Sequence, residues 1–186
     1  MGFSYNYKHN DIEDCDKQLQ RAEKMAEKNG GGILLITEGV FGMSGNQGKI
    51  KEIVALKKKY NFRLLIDDAH GFGSMGANGA GADEEQGCQK DVDLYFSTFV
   101  KSMGSIGAFI AGPTKIITYL RYKVRSQILA KSLPMIIVEG MMKRMEMLKT
   151  MPELREKLWH NVNKLQNGLK EKGFDIGTTN SPVTPV

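Results

Sequence analysis

Ile33-Leu34-Leu35-Ile36, a short, continuous apolar run, and Phe62-Arg63-Leu64-Leu65-Ile66, an apolar stretch interrupted only by Arg63, bracket the segment that decides the fold. Runs of this length predict strands buried on both faces. Gly42 to Gly48 reads as a loop. Ile50, Ile53 and Val54 then mark one face of a helix, with Leu56 at its edge. Lys57, Lys58 and Lys59 fall in its last turn, where positive charge complements the helix dipole. Strand, helix and strand in this order form a βαβ unit, which builds parallel sheets whose functional groups collect at the carboxyl ends of the strands.

Outward from this unit the pattern continues. Upstream, Ile12, Cys15, Leu19, Ala22 and Ala26 form one apolar stripe of a helix over Asp11 to Asn29, capped by Asn10 or Asp11 and ended by Gly30-Gly31-Gly32. Phe3 to Tyr7 is strand-like. Downstream, Val92 to Phe96 and Gly107 to Ala111 read as further strands, separated by a loop over Ser97 to Ile106. Helices follow over Ile116 to Arg125, Met135 to Leu148 and Glu153 to Lys172, the last with Leu154, Leu158, Val162, Leu165 and Leu169 in register and Gly173 at its end. Asp175-Ile176 and Ser181 to Val186 look like the start of more extended structure. The reading is an α/β protein, a three-layer, mostly parallel sheet with flanking helices, and both ends suggest a piece of something larger.

Composition narrows the function. The 186 residues are 41% hydrophobic and 25% charged with 21 glycines, which suits one globular domain or a domain with part of another. No apolar run is long enough to span a membrane, and Met1 to Asn10 lacks the pattern of a signal peptide, so the cytoplasm is expected; peripheral membrane contact is left open. Cys15 and Cys88 lie far apart, without zinc or CxxC spacing, and are expected as reduced thiols. The net charge of +5 is too small to imply nucleic acid. Its distribution says more. Leu94 to Val138 contains no Asp or Glu, but does contain Lys101, Lys115, Arg121, Lys123, Arg125 and Lys131. Such a stretch suits anionic ligands such as phosphates, or forms a solvated helix face.

Asp67, Asp68 and His70 follow directly on the second predicted strand, which puts two carboxylates and an imidazole at its carboxyl end. A loop-capping role is the plain alternative. No metal is expected, because only three ligand-type side chains cluster and His9 and His160 are distant. Gly71, Gly73 and Gly76 match G-x-G-x-x-G, but Ala77-Asn78-Gly79-Ala80-Gly81 cannot open the required helix, so a mobile loop is expected instead of a dinucleotide site. Lys101 sits in a tight loop among Ser97, Thr98, Ser102, Gly104, Ser105 and Gly107. It is either a surface lysine or a Schiff-base amine. A strand-end Asp upstream favours the second, because pyridoxal phosphate needs a lysine for its aldehyde and a carboxylate for its ring nitrogen.

Three blocks, Thr37 to Met43, Asp67 to Gly71 with the trailing glycines, and Ser97 to Gly107, resemble the α-oxoamine synthases among the fold-type I pyridoxal-phosphate enzymes. His9-Asn10-Asp11 and Ser132-Leu133-Pro134 agree with that resemblance. Within the family, the chain looks most like the bacterial serine palmitoyltransferases. The resemblance implies the large cofactor domain of a pyridoxal 5'-phosphate-dependent transferase: residues 1–150 in that domain, 151–173 a connecting helix, and 174–186 the start of a truncated C-terminal domain. It implies that Lys101 carries the cofactor and later removes the α-proton of the bound amino acid. Asp67 would pair with the ring nitrogen, His70 with the phenolic oxygen and Thr98 with the phosphate. The implied reaction is a decarboxylative condensation of serine with a long-chain acyl-CoA by a homodimer. The alternatives are 8-amino-7-oxononanoate synthase or glycine C-acetyltransferase chemistry, or a catalytically silent fragment. In several relatives serine stands at the position of Gly42, and here only Ser132 remains as a hydroxyl donor to a partner subunit's phosphate.

Overall fold

The computed structural model describes residues 2–130 and 132–186, so Lys131 lies outside the described residues. The first helix, α1 (Ile12–Asn29), starts where the Asp11 carboxylate accepts the N–H of Asp14 at 2.9 Å, and ends at Gly30 with φ 66°. That left-handed residue lets the chain leave the helix while its N–H still reaches the carbonyl of Ala26. Then follow β1 (Ile33–Glu38), α2 (Ile50–Ala55) with a tighter turn at Leu56–Lys58, β2 (Phe62–Asp67), α3 (Ala82–Glu85), β3 (Leu94–Thr98) and β4 (Ala108–Ala111). Four helices complete the chain: α4 (Thr114–Lys123), α5 (Arg125–Leu129), α6 (Met135–Thr150) and α7 (Glu153–Glu171).

The sheet has the order β1-β2-β3-β4. β1 and β2 are parallel with Glu38 opposite Asp67, β2 and β3 are parallel with Asp67 opposite Phe96, and β4 runs antiparallel to β3 with Thr98 opposite Ala108. The mostly parallel α/β sheet with flanking helices agrees with the sequence reading. The direction of β4 follows from its connection, since the loop from Phe99 to Gly107 is too short for a parallel crossover.

Burial on both faces does not hold for β1. Leu35 and Thr37 are buried, whereas Leu34 and Ile36 are 53% and 57% exposed. The register puts Leu34, Ile36 and Glu38 on the same face as Leu65, Asp67, Phe96 and Thr98. The opposite face carries Leu35, Leu64 and Ile66, which pack with Cys15 and Leu19 of α1 and Ile50 and Ile53 of α2 into the main core. The sheet is thus covered on one face and open on the other at β1. An all-apolar run reads the same in either case. Both cysteines are buried and unbridged.

Other boundaries move for local reasons. β3 begins and ends two residues later than expected. At its start, the Asp93 carboxylate accepts the N–H of Leu64 at 2.8 Å and pairs with Lys57 and Arg63; at its end, pairing with β4 draws Ser97 and Thr98 out of the loop into the strand. Phe3 to Tyr7 is not a strand, although the Tyr7 hydroxyl reaches Thr37 Oγ1 at 3.1 Å. Ser181 to Val186 forms no strand either, because its polar groups bond elsewhere: Ser181 Oγ donates to the carbonyl of Gly45 at 2.6 Å, and the Ser181 carbonyl accepts from Gln166. The glycine-rich segment expected to be mobile is packed. Phe72, Ser74 and Met75 are buried, and the N–H of Gly73 bonds the carbonyl of Gly79 at 2.8 Å. In α7 the buried positions are Val162 and Gln166, and Trp159 Nε1 donates to the carbonyl of Ser74; Leu154, Leu158 and Leu165 of the predicted stripe are exposed. Among the described residues, no helix is long and apolar enough to cross a membrane.

Candidate functional site

Glu38, Asp67 and Thr98 end β1, β2 and β3, and the register sets all three on the open face of the sheet. Asp67 is half-buried there, its Oδ1 accepting the N–H of Ala69 at 3.2 Å. Its neighbour Asp68 points the opposite way and is fully buried. Strand alternation therefore separates the two carboxylates: one addresses the open face, the other the interior.

His70 stands on the turn after β2, against the loop after β1. Burial, then the positive charge of Lys101, hold its imidazole below the ordinary range, while Glu38 and Asp67 pull the other way. A side chain on Gly42 would overlap the His70 ring, coming within 2.9 Å of Cε1. His70 and Gly42 line a cleft of about 610 Å³ together with His9, Glu38, Phe41, Met43 and Ser44.

Lys101 is exposed on the loop joining β3 to β4, and its neighbours hold that loop in place. Ser102 Oγ donates to the carbonyl of Phe72 at 2.6 Å, and Met103 is buried with Phe72 and Met141. The N–H of Gly104 closes a turn on the carbonyl of Lys101 at 3.0 Å. Thr98 Oγ1, at the root of the loop, is buried and has no hydrogen-bond partner among the described residues. An orphaned hydroxyl of this kind is costly unless a ligand satisfies it.

The four side chains singled out in the sequence, Asp67, His70, Thr98 and Lys101, thus belong to one end of the sheet, on adjacent strand ends and the turns that leave them. The residues fit a pyridoxal phosphate group in kind: an amine, a carboxylate on the open face, an imidazole and an unsatisfied hydroxyl. Glu38 is a site neighbour that the sequence reading passed over. Its place at the end of the first predicted strand, equivalent to that of Asp67 on the second, was the available signal. Its Oε2 accepts the N–H of Gly42 at 3.3 Å.

Comparison with known proteins bears on the family. Residues 3–186 match the family described as Aminotransferase class I and II. The chain is 65% identical over 186 residues to a cysteate-C-fatty acyltransferase of Capnocytophaga ochracea, covering all of this chain and 44% of that protein. It is 39% identical over 180 residues to a serine palmitoyltransferase of Bacteroides ovatus, covering 97% of this chain and 44% of the relative. A serine palmitoyltransferase from S. paucimobilis, solved with a bound PLP-myriocin aldimine, superposes with a TM-score of 0.85 at 37% identity, over 92% of this chain and 43% of that one. The Sphingomonas wittichii serine palmitoyltransferase gives 0.86 at 35% identity, over 96% and 43%. The chain spans less than half the length of these relatives.

Proposed function

The chain belongs to the aminotransferase class I and II family, and from that premise we propose that it forms the pyridoxal-phosphate-binding part of an α-oxoamine synthase that joins a fatty acyl group to the α-carbon of an amino acid. The observation that carries this reading is the unsatisfied, buried Thr98 hydroxyl on the same sheet face as Asp67, beside the Lys101 loop and His70.

Pyridoxal phosphate, when bound, supplies an electron sink for the negative charge left on the amino acid's α-carbon. The chain's own residues do the rest. Lys101 would hold the cofactor through its aldehyde and, as a free amine, would move the α-proton of the bound amino acid. Asp67, as a carboxylate, keeps a proton on the ring nitrogen. His70, its imidazole held below the ordinary range by burial and by Lys101, would hydrogen-bond the phenolic oxygen. The Thr98 hydroxyl would donate to the cofactor's phosphate. In the net reaction a carbon–carbon bond forms between the α-carbon and the thioester carbonyl, the thiol leaves, and the amino acid's carboxyl group departs as carbon dioxide.

Cysteate is the proposed amino acid, on the strength of 65% identity to the Capnocytophaga enzyme against 39% to the Bacteroides serine palmitoyltransferase. Serine, expected from the sequence blocks, is the second reading. Thiol release by the full-length protein, followed with cysteate, serine or alanine against palmitoyl-CoA and pimeloyl-CoA, decides among them. Fastest release with cysteate and palmitoyl-CoA supports the proposal. Fastest release with serine and palmitoyl-CoA selects the second reading, and with alanine and pimeloyl-CoA it selects 8-amino-7-oxononanoate chemistry. Fastest release with glycine and acetyl-CoA selects glycine C-acetyltransferase chemistry, and no release with any pair, that one included, leaves a silent fold.

The division into a cofactor domain over 1–150, a connecting helix over 151–173 and the start of another domain from 174 belongs to the same proposal. So does action in the cytoplasm as a homodimer, for which the exposed Tyr119, Tyr122, Ile128, Leu129, Met135 and Ile136 offer apolar surface.

A further inference from the structure

Asp68 lies one position beyond the carboxylate proposed for the ring nitrogen, and nothing in the reaction uses it. Its exposure is 0%. Oδ2 accepts the N–H of Ala82 at 2.7 Å and the hydroxyl of Tyr95 at 2.9 Å. Oδ1 is buried, packed so closely by Gly39 and Gly71 that a side chain on either would overlap it, and the main-chain N–H of Gly71 favours its charge. The main chain of the same residue is equally engaged. Its N–H donates to the carbonyl of Phe96 at 2.8 Å, and its carbonyl accepts from Ser97 Oγ at 3.2 Å and from the N–H of Phe72 at 3.0 Å.

One residue therefore ties together the loop after β1, the end of β2, the end of β3 and the start of α3. The arrangement is expensive. Burial pushes the Asp68 carboxyl up, the hydrogen bonds from Ala82, Tyr95 and Gly71 oppose this, and the nearby acids Asp67 and Asp83 add repulsion. The glycine-rich loop is shaped around it: Gly81 has φ 127°, and a side chain there would overlap both Asp68 Oδ2 and the Tyr95 hydroxyl. A carboxylate buried at such cost, immediately behind the site, points to a role in setting the site's geometry.

We propose that Asp68 is a positioning residue: by fastening Tyr95 and Ala82 to the end of β2, it fixes the turn from Asp67 to His70 so that both side chains meet the cofactor together. The inference rests on the pyridoxal phosphate reading of the site and assigns no contact between Asp68 and the cofactor. Asparagine at the position keeps an acceptor for the Ala82 N–H and the Tyr95 hydroxyl; alanine keeps neither.

The test is cofactor titration of the full-length protein, reading the dissociation constant for pyridoxal phosphate and the visible circular dichroism of the bound cofactor, with far-ultraviolet dichroism confirming the fold. Asp68→Ala and Gly81→Ala should each weaken binding about tenfold or more and shift the visible band, since a small misplacement of site groups has effects of this size. Asp68→Asn should recover affinity to within about threefold by preserving the hydrogen bonds. The double variant Asp68→Ala, Gly81→Ala should be no worse than the poorer single one, as two changes in one network are not additive. Wild-type affinity and wild-type dichroism in a folded Asp68→Ala protein would overturn the proposal. If that variant does not fold, Tyr95→Phe replaces it: a shifted band with weaker binding supports the role, and an unchanged protein refutes it. A wild type that binds no pyridoxal phosphate fails differently, removing the functional reading and this inference with it.

Discussion

Gly42 and His70 approach so closely that a Cβ on Gly42 would overlap Nε2 and lie 2.9 Å from Cε1, and the imidazole must shift to admit one. The glycine thus fixes where the imidazole rests, although the two residues come from different strand ends.

Gly42→Ser is expected to turn the His70 ring. Overpacking of this kind costs on the order of 1–3 kcal/mol, so pyridoxal phosphate should bind roughly tenfold or more weakly, with its absorbance maximum displaced. Titration against Gly42→Ser and the double variant Gly42→Ser, His70→Ala checks this. If the effect of the serine persists undiminished without the imidazole, the contact is not its cause.

Borohydride reduction of the cofactor-loaded full-length protein, followed by peptide mapping, should place the label on Lys101. The loop that presents this lysine is pinned on one side by Ser102 and Met103. Label on Lys115 instead would move the reactive amine to the helix after β4.

Asp67→Asn should separate chemistry from folding. The carboxylate is half-buried and makes one side-chain hydrogen bond among the described residues, to the Ala69 N–H, so the urea midpoint should scarcely move. Turnover should fall by at least about a hundredfold, the usual scale for losing one preorganised electrostatic partner. A large loss of stability with little loss of turnover would reverse the roles given to Asp67 and Asp68.

Asp83 gives a pH signature. Burial first, with Asp68 and Glu84 adding repulsion, raises its carboxyl to about 6. The fold favours the protonated form, so the stability it lends is fully present below the unfolded-state value near 3.8 and is lost as pH rises through about 6. Urea midpoints of Asp83→Asn and wild type should coincide below about pH 4, diverge between about pH 4 and pH 6 and keep a constant gap above that, with the asparagine variant the more stable. Parallel curves across that range would show that Asp83 titrates normally.

Much of this was legible in the sequence because apolar period and glycine placement act locally. The β1–α2–β2 unit, the α1 boundaries and the strand-end position of Asp67 and His70 follow from such patterns. What was hidden depends on partners distant in sequence. Thr98 read as loop because the pairing that makes it strand comes from Ala108, across the turn. The leucines of α7 share a helix face with Val162, but the surface available to them is set by Trp159 and the Ser74 carbonyl. The opposite fates of Leu34 and Leu35 cannot be read from a run in which every residue is apolar. Tyr95 gave no signal at all, since its partners, Asp68, Phe72 and Phe109, come from other parts of the chain.

The outer edge of β1 has further consequences. Among the described residues no strand pairs with it, and from Ile33 to Thr37 the strand carries no charge and no proline, with Leu34 and Ile36 exposed beside the free N–H and C=O groups. Such an edge is a template for self-association. Expressed by itself at high concentration, the 186-residue chain should therefore be prone to aggregate through β1, and a charged residue at Leu34 or Ile36 should raise its solubility without touching the buried core.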